Sequence, residues 1–419
     1  MSRFEDSLAW AQDADESDPL KTFRSQFIFP KDQDDPILYF CGNSLGLQPK
    51  TTKNAVLEEL DAWGHLAVEG HFLAKKPWFD YHTLLTDGMA SVVGAKKEEV
   101  VCMNSLTVNL HLLMVSFYRP QSHRYKIVIE KGAFPSDQYA VASQARFHGY
   151  NPLEAIIELT PREGEHTIRT EDCMELFETK GHEIALVLLG GVNYFTGQLF
   201  DIQNITSAAQ SHGCVVGLDL AHAAGNVPLE LHQWNVDFAA WCSYKYLNAG
   251  PGGISAVFIH TKHLNSILPR FEGWWGHQKD QRFAMPRHFS PIATAEAWQL
   301  SNPPILLLAA LHASLSIFEA AGMERLRAKS TKLTAYLEYL VEKMAGGSIQ
   351  VITPSEPEKR GAQLSLKLQH IGQPILKELK NKKVICDFRE PDIIRVAPVP
   401  LYNSFEDVFQ FAQRLEACL

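Results

Sequence analysis

A single lysine, Lys245, stands between two tyrosines in "WCSYKYLNAGPGG", where an apolar run gives way to a glycine-rich turn. An amine held out of bulk water at such a place can attack an aldehyde carbon. On its own the residue reads more readily as a surface lysine at a strand end. The upstream run "VVGLDLAHAAGN" adds a carboxylate, Asp219, with His222 three residues further on. In open α/β sheets ligands collect beyond the carboxyl ends of the strands, and Asp219 and Lys245 both stand at such ends. Pyridoxal phosphate needs this pair: a lysine for its aldehyde, and a carboxylate that keeps its ring nitrogen protonated so that the ring withdraws electrons. Alone, Asp219 reads as a helix N-cap. Paired with Lys245 it reads as a cofactor ligand.

The same cofactor needs an anion cradle and a stacking ring. Ser105 and Thr107 in "MNSLTVNLHLL" precede an apolar helical run, and a helix N-terminus offers unbonded amides to a phosphate. Simple N-capping explains the two equally well. Phe134 in "GAFPSDQY" follows the run "KIVIE", where its ring can lie on a cofactor face. Arg395 sits inside the apolar "DIIRVAPVP" and needs a partner, because burying its charge alone is costly. Its fork suits the carboxylate of an amino-acid substrate; a structural pair with an internal Asp or Glu is the alternative. No Gly-x-Gly-x-x-Gly or Walker motif competes for a nucleotide.

Residues this far apart in sequence need a sheet to bring them together. "RYKIVIEK", "IALVLLGGV", "CVVGLDL" and "DFAAWCSY" are short apolar strands separated by helices, which implies a mostly parallel sheet covered on both faces. An amphipathic helix is expected from Val56 to Gly64, and another from Ile202 to His212, closed by Gly213. A long helical region runs from Pro304 to Leu340. "AQLSLKL", "KKVICDFR" and "DIIRVAPVP" then read as strands, and Ser404 with Asp407 forms a capping box before a closing helix. The fold class is therefore α/β, a large domain with a mixed, mostly parallel sheet plus a smaller α+β domain. The expected divisions are an N-terminal segment, 1–50, that packs with the small domain, a large domain, 51–305, and a small domain, 306–419.

At 419 residues the chain exceeds the usual single-core size. A net charge of -9 disfavours nucleic acid and acidic membranes as partners. The longest apolar stretch, "PILLLAALHASLSIF", is interrupted by His312, Ser314 and Ser316 and reads as a core helix rather than a membrane span. The acidic N-terminus lacks the apolar core of a secretory signal. Seven scattered cysteines without a Cys-x-x-Cys pair suggest reduced thiols, no metal site and a cytoplasmic location.

"DLAHAAGNVPLELHQWNVDFAAWCSYKYLNAGPGG" resembles the cofactor segment of the kynureninases, which are fold-type I pyridoxal-phosphate enzymes. "YFCGNSLGLQPK", "NSLTVNLHLLMVSFY", "FPSDQYA", "GWWGH", "SNPPILL" and "IRVAPVPLYNSFEDV" resemble that family in the same order, over nearly the whole chain. The resemblance implies a homodimer with active sites built from both subunits. By it Lys245 is the Schiff-base lysine, Asp219 the partner of the pyridine nitrogen and His222 a neighbouring cofactor contact. Leu106 and Thr107 form the phosphate turn, Phe134 is the stacking ring, and Pro135, Ser136 and Asp137 complete that wall. Tyr244 contacts the phosphate, and Tyr194 lies near it and handles protons. Trp274 and Asn302 reach the cofactor from the other subunit. Arg395 clamps the substrate carboxylate and Ser44 joins it as a substrate contact.

The implied reaction is hydrolysis of kynurenine or 3-hydroxykynurenine to anthranilate or 3-hydroxyanthranilate plus alanine, in tryptophan catabolism and NAD biosynthesis. His71 and Asn302 match positions around the aromatic ring of the hydroxylated substrate, and His71 joins Lys245 and Tyr194 as a catalytic candidate. One position departs: where animal members tend to have "FSGV", this chain has "LGGV", with Gly190 in place of serine. The competing readings are a cysteine desulfurase or aminotransferase-like enzyme of the same fold, and a binding module without catalysis. A desulfurase needs a cysteine on a mobile loop, and none of the seven sits in an evident Gly/Ser-rich one.

Overall fold

The apolar runs of the middle third line up in one seven-stranded sheet. A computed structural model describes residues 4–33, 35–344, 346–369 and 373–419. The strands are β1 (Val100–Cys102), β2 (Lys126–Glu130), β3 (Ile156–Leu159), β4 (Ile184–Gly190), β5 (Val215–Asp219), β6 (Phe238–Cys242) and β7 (Ser255–Ile259), in the order β1-β7-β6-β5-β4-β2-β3. Only β7 runs against its neighbours; β2 to β6 pair in parallel. Parallel strands are covered on both faces, and alternation divides their side chains accordingly. Ile127, Ile129, Phe238 and Ala240 fall in one apolar cluster, while Val128, Ala239 and Trp241 fall in another.

Helices supply the two covers. The elements are α1 (Leu8–Glu16), α2 (Thr52–Leu66), α3 (Leu106–Phe117), α4 (Pro135–Phe147), α5 (Thr170–Lys180), α6 (Ile202–Ser211), α7 (Ile305–Ala321), α8 (Met323–Met344) and α9 (Phe405–Glu416). Buried residues of α3 and α4 pack on the first face; those of α5, α6 and α7 pack on the second. Helix α6 ends as its sequence implies, with Gly213 at a φ of 76°. Helix α2 is longer than expected, and its apolar stripe faces outward: Leu57, Leu60 and Trp63 are all exposed.

The last third forms a second sheet. Strands β8 (Ile349–Val351), β9 (Leu364–Leu368), β10 (Asp387–Arg389) and β11 (Ile393–Val396) take the antiparallel order β8-β9-β11-β10, backed by α8 and α9. The run "KKVICDFR" is not one strand but two. Its first half, Val384–Ile385, pairs with Leu38–Tyr39, and its second half is β10. The capping box of α9 forms as expected, with the Asp407 N–H donating to Ser404 Oγ at 3.0 Å. Asp15 of α1 adds a second cap, accepting from the N–H groups of Phe405 and Glu406 at 2.7 and 2.9 Å.

The long helical region breaks at Gly322, and α7 and α8 meet at 81°. The division expected at 305/306 falls just before α7, whose buried side chains belong to the core of the large sheet; α8 carries most of its own to the small one. Among the described residues no single helix is long and apolar enough to cross a membrane.

Candidate active site

Strands β2, β4 and β5 end in Glu130, Gly190 and Asp219, and Lys245 follows three residues after β6. All four open onto one cavity of about 320 Å³. Lys245 stands on a turn, half-buried, rather than within the strand. Its Nζ lies 3.0 Å from His222 Nε2 and 5.7 Å from the centre of the Phe134 ring. Burial, and then the Lys245 charge, hold His222 well below the usual imidazole range. The ring is therefore neutral at pH 7, with Nε2 accepting from Lys245 and Nδ1 buried without a partner.

Three carboxyl groups surround the floor of the cavity. Asp219 accepts the Ala221 N–H at 2.8 Å. Asp137, from the first turn of α4, lies within hydrogen-bond reach of Asp219, and its Oδ1 is buried with no other partner. Burial lifts both groups, and the Asp219 charge lifts Asp137 further, so the pair holds a proton more readily than an isolated carboxyl does. Glu130 was not singled out from sequence. Its oxygens accept the Gly190 N–H at 3.3 and 3.2 Å, and burial pushes it up to about 7. This contact accounts for Gly190: a Cβ there would lie 2.9 Å from Glu130 Oε1. A serine would need Glu130 to move, and the Gly190 amide is spent on Glu130 rather than offered to a ligand.

Glu130 has a consequence for stability. Between its ordinary 4.5 and about 7, the folded protein keeps a proton that the unfolded chain has released, so stability falls as pH rises through that window. Cofactor-free Glu130→Gln, melted beside the parent, gains on it by up to about 3 kcal/mol between those limits. Stability curves that stay parallel from pH 4.5 to 7 would contradict the shift.

At the opposite wall, Ser105 is the N-cap of α3 but its side chain makes no cap hydrogen bond. The first-turn amides, which lack partners in any helix, belong to Leu106 and Thr107, and both residues line the cavity with Gly252, Gly253 and Tyr244. Burial raises the Tyr244 phenol and keeps it a hydrogen-bond donor. Phe134 meets Tyr194 edge-on at 5.2 Å, and Ser136, Ser44 and Asn43 complete the rim. Pro135 is the first residue of α4 and does not line the cavity.

Arg395 reaches the cavity from β11 and is 1% exposed. Its Nη1 donates to the Tyr194 carbonyl at 2.6 Å, and its Nη2 pairs with Asp387. The internal ion pair left open by the sequence is thus present, in a residue that also faces the cavity. Arg389, which the sequence did not single out, lines the same end.

His71, Trp274 and Asn302 do not line the cavity within the single chain; Trp274 and Asn302 were expected to reach it from the other subunit. His71 Nδ1 bonds the Val68 carbonyl at 3.0 Å, with its ring edge-on to Trp78. Trp274 packs edge-on against Phe283, in an aromatic group with Phe72 and Phe79. Asn302 is exposed beside Leu300, whose carbonyl accepts the Trp275 N–H. Elsewhere, Glu99, His232 and His260 have metal-like spacing, but Glu99 accepts from His232 and Thr261 while His260 Nδ1 accepts from Lys262. Their donor atoms are spent.

The residues present fit pyridoxal phosphate. An amine, a pair of neighbouring buried carboxyls with an orphaned oxygen, a flat ring and a set of helix-start amides face one cavity. The fold is shared with cysteine desulfurases of Thermococcus onnurineus (TM-score 0.76, 17% identity, 97% of each chain) and of Escherichia coli (TM-score 0.77, 16% identity, 95% of this chain and 98% of that one). Fold and site together define a fold-type I pyridoxal-phosphate enzyme. Residues 326–415 match the kynureninase C-terminal domain. A kynureninase of Myxococcus xanthus is 57% identical over 415 residues, 99% of this chain and 97% of that one. One of Flavobacterium psychrophilum is 53% identical over 417 residues, 99% and 98% of the two chains. The chain belongs to the kynureninase family.

Proposed function

We propose that this enzyme hydrolyses L-kynurenine and, preferentially, 3-hydroxy-L-kynurenine to anthranilate or 3-hydroxyanthranilate plus L-alanine, in the cytoplasm, within tryptophan catabolism and NAD biosynthesis. The observation that carries the reading is the shared cavity, with Lys245, Asp219 and Asp137 in one region and Arg395 as the guanidinium for an amino-acid carboxylate. Pyridoxal phosphate, when bound, supplies an electron sink for charge that develops at the substrate α-carbon.

The chain's own residues do the rest. Lys245 Nζ would hold the cofactor aldehyde and is the amine placed to take a proton at the substrate α-carbon, with neutral His222 accepting its hydrogen bond. Asp219 and Asp137 hold the proton on the ring nitrogen. Leu106 and Thr107 amides with Tyr244 would hold the phosphate, and Phe134 would stack on the ring. Arg395 and Ser44 orient the substrate carboxylate. Tyr194 is the hydroxyl in this cavity suited to the γ-carbonyl.

The remaining groups come from a second copy in this reading. Trp63, Val68, Phe72, Leu73, Phe283 and Met285 are exposed apolar side chains, an uncommon cost for a monomer, and His71 and Trp274 belong to the same surface. A homodimer buries that face and carries His71, Trp274 and Asn302 to the partner's cavity. Asn302→Ala then lowers kcat/KM for 3-hydroxykynurenine about 10-fold more than for kynurenine, the loss of one buried hydrogen bond. An equal fall for both substrates counts against the ring-hydroxyl role.

The shared fold brings the desulfurase reading forward, and the thiols answer it. Five of the seven cysteines are buried, Cys242 beside Tyr244 among them, with its thiol pushed up by burial; of the two that are not, Cys41 lies two residues from Asn43 of the cavity rim, and burial pushes its thiol up to about 11. It is not a thiolate nucleophile at neutral pH.

A further inference from the structure

Two arginines share one aspartate at the cavity wall formed by the small sheet. Asp387 on β10 is paired directly with Arg395 on β11, so its carboxylate lies against the Arg395 guanidinium. Arg389 is two residues further along β10 and therefore on the same face. Its Nη2 reaches Asp387 Oδ2 at 3.1 Å. Both arginines line the cavity.

The Nε of Arg389 and the Nε of Arg395 are each buried without a hydrogen-bond partner. Buried donors are nearly always satisfied, and these two belong to side chains that line one cavity, so both are free to take an acceptor bound there. The charges agree. Two guanidinium groups against one carboxylate leave a single positive charge, and the neighbouring Tyr194 contributes a carbonyl to Arg395 and the face of its ring, 5.8 Å from the guanidinium carbon.

We propose that Arg389 is a second substrate-binding residue, forming with Arg395 a clasp for one carboxylate, and that Asp387 is the positioning residue that orients both forks. The clasp rests on the amino-acid substrate proposed above. It holds a single carboxylate because Asp387 already neutralises one of the two arginines. Removing Arg389 costs binding in the ground and transition states alike, which raises KM while leaving kcat little changed.

The test uses holoenzyme of the parent, Arg389→Gln and Arg389→Lys, with kynurenine and with its α-carboxamide as substrates. Arg389 is 38% exposed in its side chain, so its replacement opens no core cavity, and melts of the variants matching the parent accompany the kinetics. Arg389→Gln raises KM for kynurenine about 10- to 100-fold, as expected for a lost charge-assisted hydrogen bond, while its kcat/KM for the carboxamide matches the parent's. Arg389→Lys, which keeps charge but not the fork, falls between. A KM for kynurenine within twofold of the parent in Arg389→Gln, or an equal loss on both substrates, overturns the proposal. L-Alanine, titrated by the visible absorbance of the holoenzyme, separates the clasp from the reaction: it binds about 10-fold more weakly to Arg389→Gln even where the parent fails to cleave kynurenine. Equal alanine affinities overturn the clasp, whereas a parent that binds alanine but leaves kynurenine intact overturns the proposed reaction alone.

Discussion

Lys245→Ala loses steady-state turnover by a factor on the order of 10³ or more, the scale of losing a positioned proton-transfer group. The side chain has two duties in one place. Its Nζ is the amine at the centre of the cavity, 3.0 Å from His222 Nε2 and under the Phe134 ring. Tyr244, also cavity-lining, has a phenol that burial keeps protonated, so it cannot serve as the base. The loss is catalytic rather than structural, because Lys245 is only half-buried and its turn is held by backbone bonds from Asn248 to Lys245 and from Ala249 to Ser243. Thermal melts of the variant therefore match the parent. Substantial turnover in Lys245→Ala would remove the residue from the chemistry.

Asp219→Asn lowers kcat by about 10²- to 10³-fold, the scale of removing one preorganised electrostatic partner. The amide keeps the Ala221 hydrogen bond through its oxygen and changes charge alone. Asp137 is raised partly by the Asp219 charge. Once that charge is gone, Asp137 ionises more readily and replaces part of what was lost. Asp137→Asn alone is milder for the same reason, and the double variant falls further than the two single losses combined, the coupling expected of two interacting carboxyls. Strict additivity of the single effects, read from kcat of all three variants saturated with cofactor, would separate the two carboxyls.

What the sequence revealed follows from where it changes character. Asp219 and Lys245 close or follow apolar runs, so their polarity stood out against burial, and the parallel sheet then brought their strand ends side by side. Phe134 and Thr107 were legible because a turn and a helix start follow a strand at a fixed offset. Glu130 closes an apolar run too, but at the tail of "KIVIE" an acid reads as the solvated end of a strand. Its role depends on Gly190, sixty residues away and beside it only through β2 and β4. Arg389 was hidden because "KKVICDFR" reads as one strand, whereas it divides between two sheets and only its second half faces the cavity. The acid that Arg395 required was foreseen in type but not in identity, since pairing across β10 and β11 is a matter of register. His71, Trp274 and Asn302 lie outside the cavity of the single chain, and their proposed roles rest on a second copy. The break between α7 and α8 hangs on Gly322 alone, in a run otherwise suited to continuous helix.

The most direct test is an assay of purified, pyridoxal-phosphate-saturated enzyme given 3-hydroxykynurenine, following alanine and the aromatic acid together. The proposed hydrolysis releases L-alanine and 3-hydroxyanthranilate in equal amounts. A preparation that shows the visible cofactor band yet forms no alanine would contradict it.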